Sequence, residues 1–287
     1  MAITLAVLSA LCFGSGLIAS RMGLRTLDAR AGAAISIPTA TVLFLAAAPF
    51  AFDPAGLRWD AVLVFAGLGV FFPVLVTVLT FRSNARLGTT VTGAISGTAP
   101  LFAILAAGLL LGERIPPQAA AAAIGVVAGV VLLTWRPGAA RRLSAGTDLA
   151  WPVAGSVLKG VAQVGAKAGL LLWPSPFAAA LIGYLVSTLA VLAARRLAPG
   201  ARHRATPASR GWFMATGVCN GGAVLLMYAA LDLAPVSTVA PIVAAYPLVT
   251  FLAGAVLLKE EKPTARMLAG AFVTVAAIVW LVASGAR

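Results

Sequence analysis

The chain has 287 residues, of which 61% are hydrophobic and 10% charged, with a mean hydropathy of +1.01. A soluble domain carries roughly 45–50% apolar and about 25% charged residues, so an ordinary soluble enzyme is excluded. The formal charge of +13 would suggest a nucleic-acid binder on a soluble chain, and the apolar content argues against that first.

Each helical crossing of a bilayer takes about 20 apolar residues. In chain order, such runs fall near 3 to 20, 32 to 52, 61 to 81, 89 to 111 and 118 to 135. A polar connection, RPGAARRLSAGTD, follows, and then come runs near 149 to 171, 177 to 194, 211 to 231, 236 to 258 and 265 to 284. Lipid offers no partner to backbone N–H and C=O groups, so runs this long must be helices. The expectation is an all-α membrane protein of ten transmembrane helices. No basic stretch precedes the opening run, MAITLAVLSALCFGSGLIAS, which is expected to be a retained helix rather than a cleaved signal peptide. Cys12 and Cys219 lie inside apolar runs and read as packing residues.

Lys and Arg in short loops favour the cytoplasmic side. Odd-numbered connections carry Arg21, Arg25 and Arg30, then Arg82 and Arg86, then Arg136, Arg141 and Arg142. The later odd connections are equally basic, whereas the even ones hold only Arg58 and Arg114. Both termini are therefore expected outside.

The chain is also written twice. Residues 81 to 135 superpose without gaps on 228 to 282, an offset of 147 that pairs Pro100 with Pro247, Leu101 with Leu248 and Glu113 with Glu260. One residue less superposes Gly14 on Gly160, Arg21 on Lys167 and Gly23 on Gly169. Two five-helix repeats follow, 1–135 and 149–287, joined by a cytoplasmic linker at 136–148. Five is odd, so the second repeat enters the membrane from the opposite face. Inverted halves recur in carriers, with the solute site near the midplane between them.

The strings PLFAILAAGLLLGER and PLVTFLAGAVLLKEE, with LCFGSGLIASRMGL in the first helix, resemble the EamA-type, ten-helix members of the drug/metabolite transporter superfamily. The resemblance covers nearly the whole chain. It implies a carrier for small metabolites, commonly amino acids, that often works as an exporter. Among these the chain is most similar to bacterial amino-acid exporters, including those that take aromatic amino acids. The implied location is the bacterial inner membrane, with both termini periplasmic. A small-molecule substrate and the lipid bilayer are the expected partners, nucleic acid is not, and the working unit is taken as a monomer. Where the family often has Trp-Gly-Ser-Asn, this chain has Phe13, Gly14, Ser15 and Gly16, and Lys159 stands where the second repeat's aromatic would fall.

All eight acidic residues fall in loops or at helix ends. That disfavours an organic-cation or multidrug exporter, which needs a buried carboxylate. Glu113 and Glu260 are expected to terminate helices or bind neighbouring cations. No phosphate-binding Gly loop, metal-ligand cluster or nucleophile with its base is visible, so neither an enzyme nor a cofactor is expected. A membrane-embedded enzyme or a scaffold is the rival outside transport.

Two cations lie within a run, Lys159 and Lys167, with Gln163 between them at a spacing of four on one helical stripe. A charge at the bilayer centre costs at least about 2.5–3.5 kcal/mol on insertion scales, so it faces a cavity or a partner. Lys159, or the Gln163 amide, either receives a substrate carboxylate or bonds a helix-end carbonyl across the bundle; Lys167 can snorkel to the headgroups. By the repeat offset Pro73 corresponds to Asn220, where the string CNGG, with Gly221, is expected to weaken its helix as the proline does. Asn220 is either a substrate ligand or an interhelical hydrogen-bond partner. Pro100 and Pro247 interrupt their runs beside Ser96, Thr98 and Tyr246. Ser96 and Tyr246 thus join the substrate-binding candidates, and Pro73, Pro100, Gly221 and Pro247 are the hinge or gate candidates. Trp59, Trp135, Trp151 and Trp173 lie near run ends, where an interfacial belt would place them.

Overall fold

The computed structural model describes residues 1–54, 56–134, 146–197, 206–253 and 264–284. Among them all regular structure is helical. The first repeat holds α1 (Ala2–Gly23), α2 (Ala29–Ala51), α3 (Trp59–Phe71), α4 (Val74–Ser96), α5 (Ala99–Leu111) and α6 (Pro117–Thr134). The second holds α7 (Gly146–Leu172), α8 (Pro176–Leu197), α9 (Pro207–Leu233), α10 (Val236–Val243), α11 (Tyr246–Ala253) and α12 (Ala265–Ala283). Seven described helical stretches are individually long and apolar enough to cross a membrane. The protein is a multi-pass, all-helical membrane protein. Local polar side chains set several helix starts: Asp28 accepts from the Arg30 and Ala31 amides, Thr206 from Ser209 and Thr264 from Met267.

Ten expected spans appear as twelve segments because the breaks fall at prolines rather than at one of the expected loops. The connection at 82–88, RSNARLG, is helical, and α4 runs through it. It contains no proline and ends in its single glycine, so nothing in it stops a helix. The chain breaks instead before Pro73, Pro100 and Pro247. Each lacks an N–H for the carbonyl four residues back, and α4 and α10 end at those residues, Ser96 and Val243. In contrast α9 is continuous through Asn220, Gly221 and Gly222, which corrects the expectation that CNGG would free backbone groups there. A glycine costs a helix only about 1 kcal/mol relative to Ala and keeps its N–H. Here Gly221 lets α2 approach: its Cβ, if present, would sit 3.0 Å from the Ala40 Cβ.

The main packing crosses between repeats. Helix α1 lies on α9 as α7 lies on α3 and α4; α2 lies on α9 as α8 lies on α3; α2 also meets α8, and α6 meets α12. Near-identical crossings carry the duplication. A Cβ on Gly69 would meet the Gly183 carbonyl and the Val186 Cβ, both at 2.7 Å, while one on Gly217 would strike the Ser36 carbonyl and meet the Thr39 Cβ at 2.9 Å. Ser36 and Gly183 are repeat partners, as are Thr39 and Val186. On the symmetry axis the hydroxyls of Thr41 and Thr188, 147 residues apart, lie 2.7 Å from each other. The Gly69–Gly217 equivalence is one residue longer than that offset, a difference absorbed at the α3–α4 break. Spatially, then, Asn220 answers to Phe72 and Gly221 to Pro73, a one-residue correction of the sequence pairing.

Trp173 is not in an interfacial belt. It is 4% exposed and packs between Phe52 and Phe65, with ring centroids 6.1 and 6.5 Å away. Trp59 is exposed and Trp151 partly so, with the Arg82 guanidinium 5.4 Å above the Trp151 ring. Both cysteines are free thiols. Trp135, Glu260 and most of the 136–148 linker lie outside the described residues.

Candidate functional site

Between the repeats lies a cavity of about 110 Å³. A single water needs roughly 10–15 Å³ measured this way, so the space accepts several waters or one small solute. Helix α1 contributes Phe13, Gly16, Leu17 and Ser20; the α3–α4 break and α4 contribute Phe72, Pro73, Thr77, Thr80, Phe81 and Ser96. From the second repeat come Lys159 and Gln163 of α7, Tyr184 of α8, Asn220 and Met227 of α9, and Val243, Ala244 and Tyr246 around the α10–α11 turn. Lys159, Gln163, Asn220, Ser96 and Tyr246 are thus brought together in one place. Of the hinge candidates Pro73 lines the cavity, Pro100 and Pro247 sit one residue behind the lining residues Ala99 and Tyr246, and Gly221 faces α2.

Close helix approach sets these side chains. A Cβ on Gly160 would lie 2.9 Å from the Phe102 Cβ, and one on Gly14 would lie 2.6 Å from the Val249 Cβ. These partners are equivalent under the repeat and draw α7 onto α5 and α1 onto α11. With α7 held so, Lys159 and Gln163 face inward one turn apart. The Lys159 ammonium donates to the Tyr246 hydroxyl at 3.3 Å and stands 5.4 Å from the centre of that ring. Among the described residues, no Asp or Glu lines the cavity. Lys167 instead donates to the Leu231 carbonyl near the end of α9 at 2.6 Å. The helix-end carbonyl considered for Lys159 is therefore the partner of Lys167. Gln163 is 7% exposed, and its Oε1 is a buried acceptor with no hydrogen-bond partner among the described residues. Such an atom costs about 1–3 kcal/mol unless something donates to it. The Asn220 amide oxygen packs against Gly16, filling the room a side chain at 16 would occupy.

The backbone at the two broken spans is itself duplicated. Thr98 donates to Ile95 and Leu101 to Thr98; at the repeat-equivalent positions Ala245 donates to Ile242 and Leu248 to Ala245. These turns leave the Ser96 and Val243 carbonyls without the amides that Pro100 and Pro247 lack. At the third break the outcome differs: the Gly69 carbonyl, freed by Pro73, accepts from the Ser187 hydroxyl at 2.6 Å.

Glu113 does end a helix, though another repeat's. Gly112, at φ 63°, turns the chain out of α5. The Glu113 carboxylate then accepts from the amides of Val236 at 3.1 Å and Ser237 at 3.0 Å, and from the Ser237 hydroxyl, capping α10. Sequence reading missed Tyr184, Phe72, Thr77 and Thr80. Tyr184 left a signal, being one of three tyrosines and, like Tyr246, centred in an apolar run.

Two inverted, interlocked five-span halves with a partly polar cavity between them have the build of a membrane carrier. The model of the EamA-like transporter family matches residues 1–135 and again residues 149–283. The chain belongs to that family and is a membrane transporter. A solved structure described as "Crystal structure of protein" aligns over 100% of this chain and 99% of its own, with a TM-score of 0.80 and 15% identity. At that identity the likeness is one of fold. No curated protein matches the chain in sequence.

Proposed function

We propose that the protein exports small metabolites, amino acids foremost, across the bacterial inner membrane with both termini periplasmic. The cavity is the solute site, and the repeats 1–135 and 149–287 rock about it in alternating access, pivoting at Pro73, Pro100, Gly221 and Pro247. One observation carries the substrate reading: Lys159 is a cation facing the cavity, whose described lining residues offer no carboxylate. A substrate carboxylate is the group that would offset the cost of keeping that charge at depth. Phe13, Phe72, Phe81 and Tyr184 give the remaining wall an aromatic surface suited to a large apolar side chain. An organic cation would find no acid to pair with.

Counterflow into proteoliposomes tests this, using a panel of aromatic, hydroxylated and small neutral amino acids with the parent, Lys159→Ala and Asn220→Ala. The expected result is uptake by the parent and loss in Lys159→Ala at normal membrane insertion. A parent that moves no amino acid ends the substrate reading. Unchanged transport in both variants ends the site assignment. A C-terminal reporter found in the cytoplasm would reverse the orientation.

A further inference from the structure

An amino acid brings an ammonium as well as a carboxylate, and a cavity whose described lining residues include no acid must receive it otherwise. Three residues that line this cavity carry oxygens that lack their ordinary donors. Two are the Ser96 and Val243 carbonyls at the C-terminal ends of α4 and α10, which Pro100 and Pro247 deprive of amides. The third is Gln163 Oε1, buried and unpartnered. The turn amides close on Ile95, Thr98, Ile242 and Ala245, and among the described residues neither carbonyl has a substitute of the kind Ser187 gives Gly69. Helix C-termini also carry the negative end of the helix dipole, so two of them add their fields at the same place. Unwound carbonyls and half-helix C-termini are groups with which carriers hold cations at mid-membrane.

We infer that the Ser96 and Val243 carbonyls and Gln163 Oε1 form a cation half-site that takes the α-ammonium of a zwitterionic amino acid, its carboxylate lying against Lys159. This rests on the amino-acid reading above and narrows it. Lys159 and Gln163 are one turn apart on α7, a separation of about 5–6 Å between Cβ atoms. A molecule with both charges on neighbours of one carbon spans them. The site therefore demands a free ammonium, and a deaminated carboxylate leaves the three oxygens bare.

Thermal stabilisation of the purified full-length protein reads this directly, using L-phenylalanine and its deaminated analogue 3-phenylpropionate, then L-leucine and 4-methylpentanoate. The expected result is at least tenfold weaker binding of each deaminated acid to the parent. In Gln163→Leu the amino acid should weaken toward its analogue, while Gln163→Glu, which retains an acceptor, should keep the preference. Equal binding of both members of a pair to the parent overturns the half-site and leaves the Lys159 carboxylate reading standing. Stabilisation by neither removes the amino-acid reading and the half-site with it. The same oxygens would suit a small metal cation. Each titration is therefore repeated in sodium chloride and in choline chloride, and sodium-dependent binding of the deaminated acid would place a metal ion there and overturn the assignment.

Discussion

The two repeats agree in their packing and differ in their polar groups. Gly69 and Gly217 admit the same helix at equivalent carbonyls, Gly14 and Gly160 admit equivalent half-helices, and the turns after Ser96 and Val243 carry the same hydrogen bonds. At the cavity wall the copies part. Phe13 of α1 answers to Lys159 of α7, and Phe72 at the α3–α4 break answers to Asn220 in the unbroken α9. The first repeat thus presents phenylalanines and small hydroxyls, and the second the cation and both amides. Duplicated contacts hold the halves together, and the substitutions between copies make an oriented site that a symmetric dimer could not have.

The comparison breaks most readily at the glycines. Gly217→Ala and Gly69→Ala would each drive a methyl group into backbone that cannot yield, for a loss of about 1–3 kcal/mol each. Detergent thermostability should show similar losses for the pair, and no loss for Gly222→Ala, which has open space around it. A large loss in one alone would mean that the crossings are not equivalent. Next in size is the polar asymmetry. Lys159→Ala should reduce counterflow at least tenfold, about 1.4 kcal/mol, while Phe13→Leu should change it by less than about threefold. The reverse order would move the site to the first repeat.

Glu113→Gln sharpens the point at the α10 junction. A carboxylate oxygen replaced by an amide N–H would face a backbone donor, at an expected cost of about 1.5 kcal/mol in thermostability. Ser237→Ala, which keeps the backbone part of the cap, should cost less. The smallest effect belongs to the axis. Thr41→Val and Thr188→Val should each cost about 1 kcal/mol or less. Because the hydroxyls share one contact, the double variant should cost less than the two single losses added together. Additive losses would show that the hydroxyls do not act as a pair.

Much of this was legible before any coordinates. Run length gave the spans, the gapless offset gave the duplication, and a spacing of four set Lys159, Gln163 and Lys167 on one stripe. Ser96 and Tyr246 were legible as neighbours of prolines. The third break and the unbroken 82–88 segment were harder, because a polar segment between apolar runs looks like a loop although nothing in it stops a helix. Tyr184 and Phe72 were hidden because their importance lies in what they face. Trp173 was misjudged since proximity to a helix end says nothing about which neighbours cover a ring.

What the sequence determined by itself were the apolar membrane spans and their repetition. Those follow from terms local to a segment, namely hydrophobic transfer, internal backbone hydrogen bonding and the missing amide of proline. Only the tertiary structure decided which lysine faces the cavity and which a carbonyl. It also showed which freed carbonyl finds a serine and which is left beside the cavity. Those outcomes depend on residues far along the chain, because the main packing joins the two repeats and each helix meets partners that its own sequence does not contain.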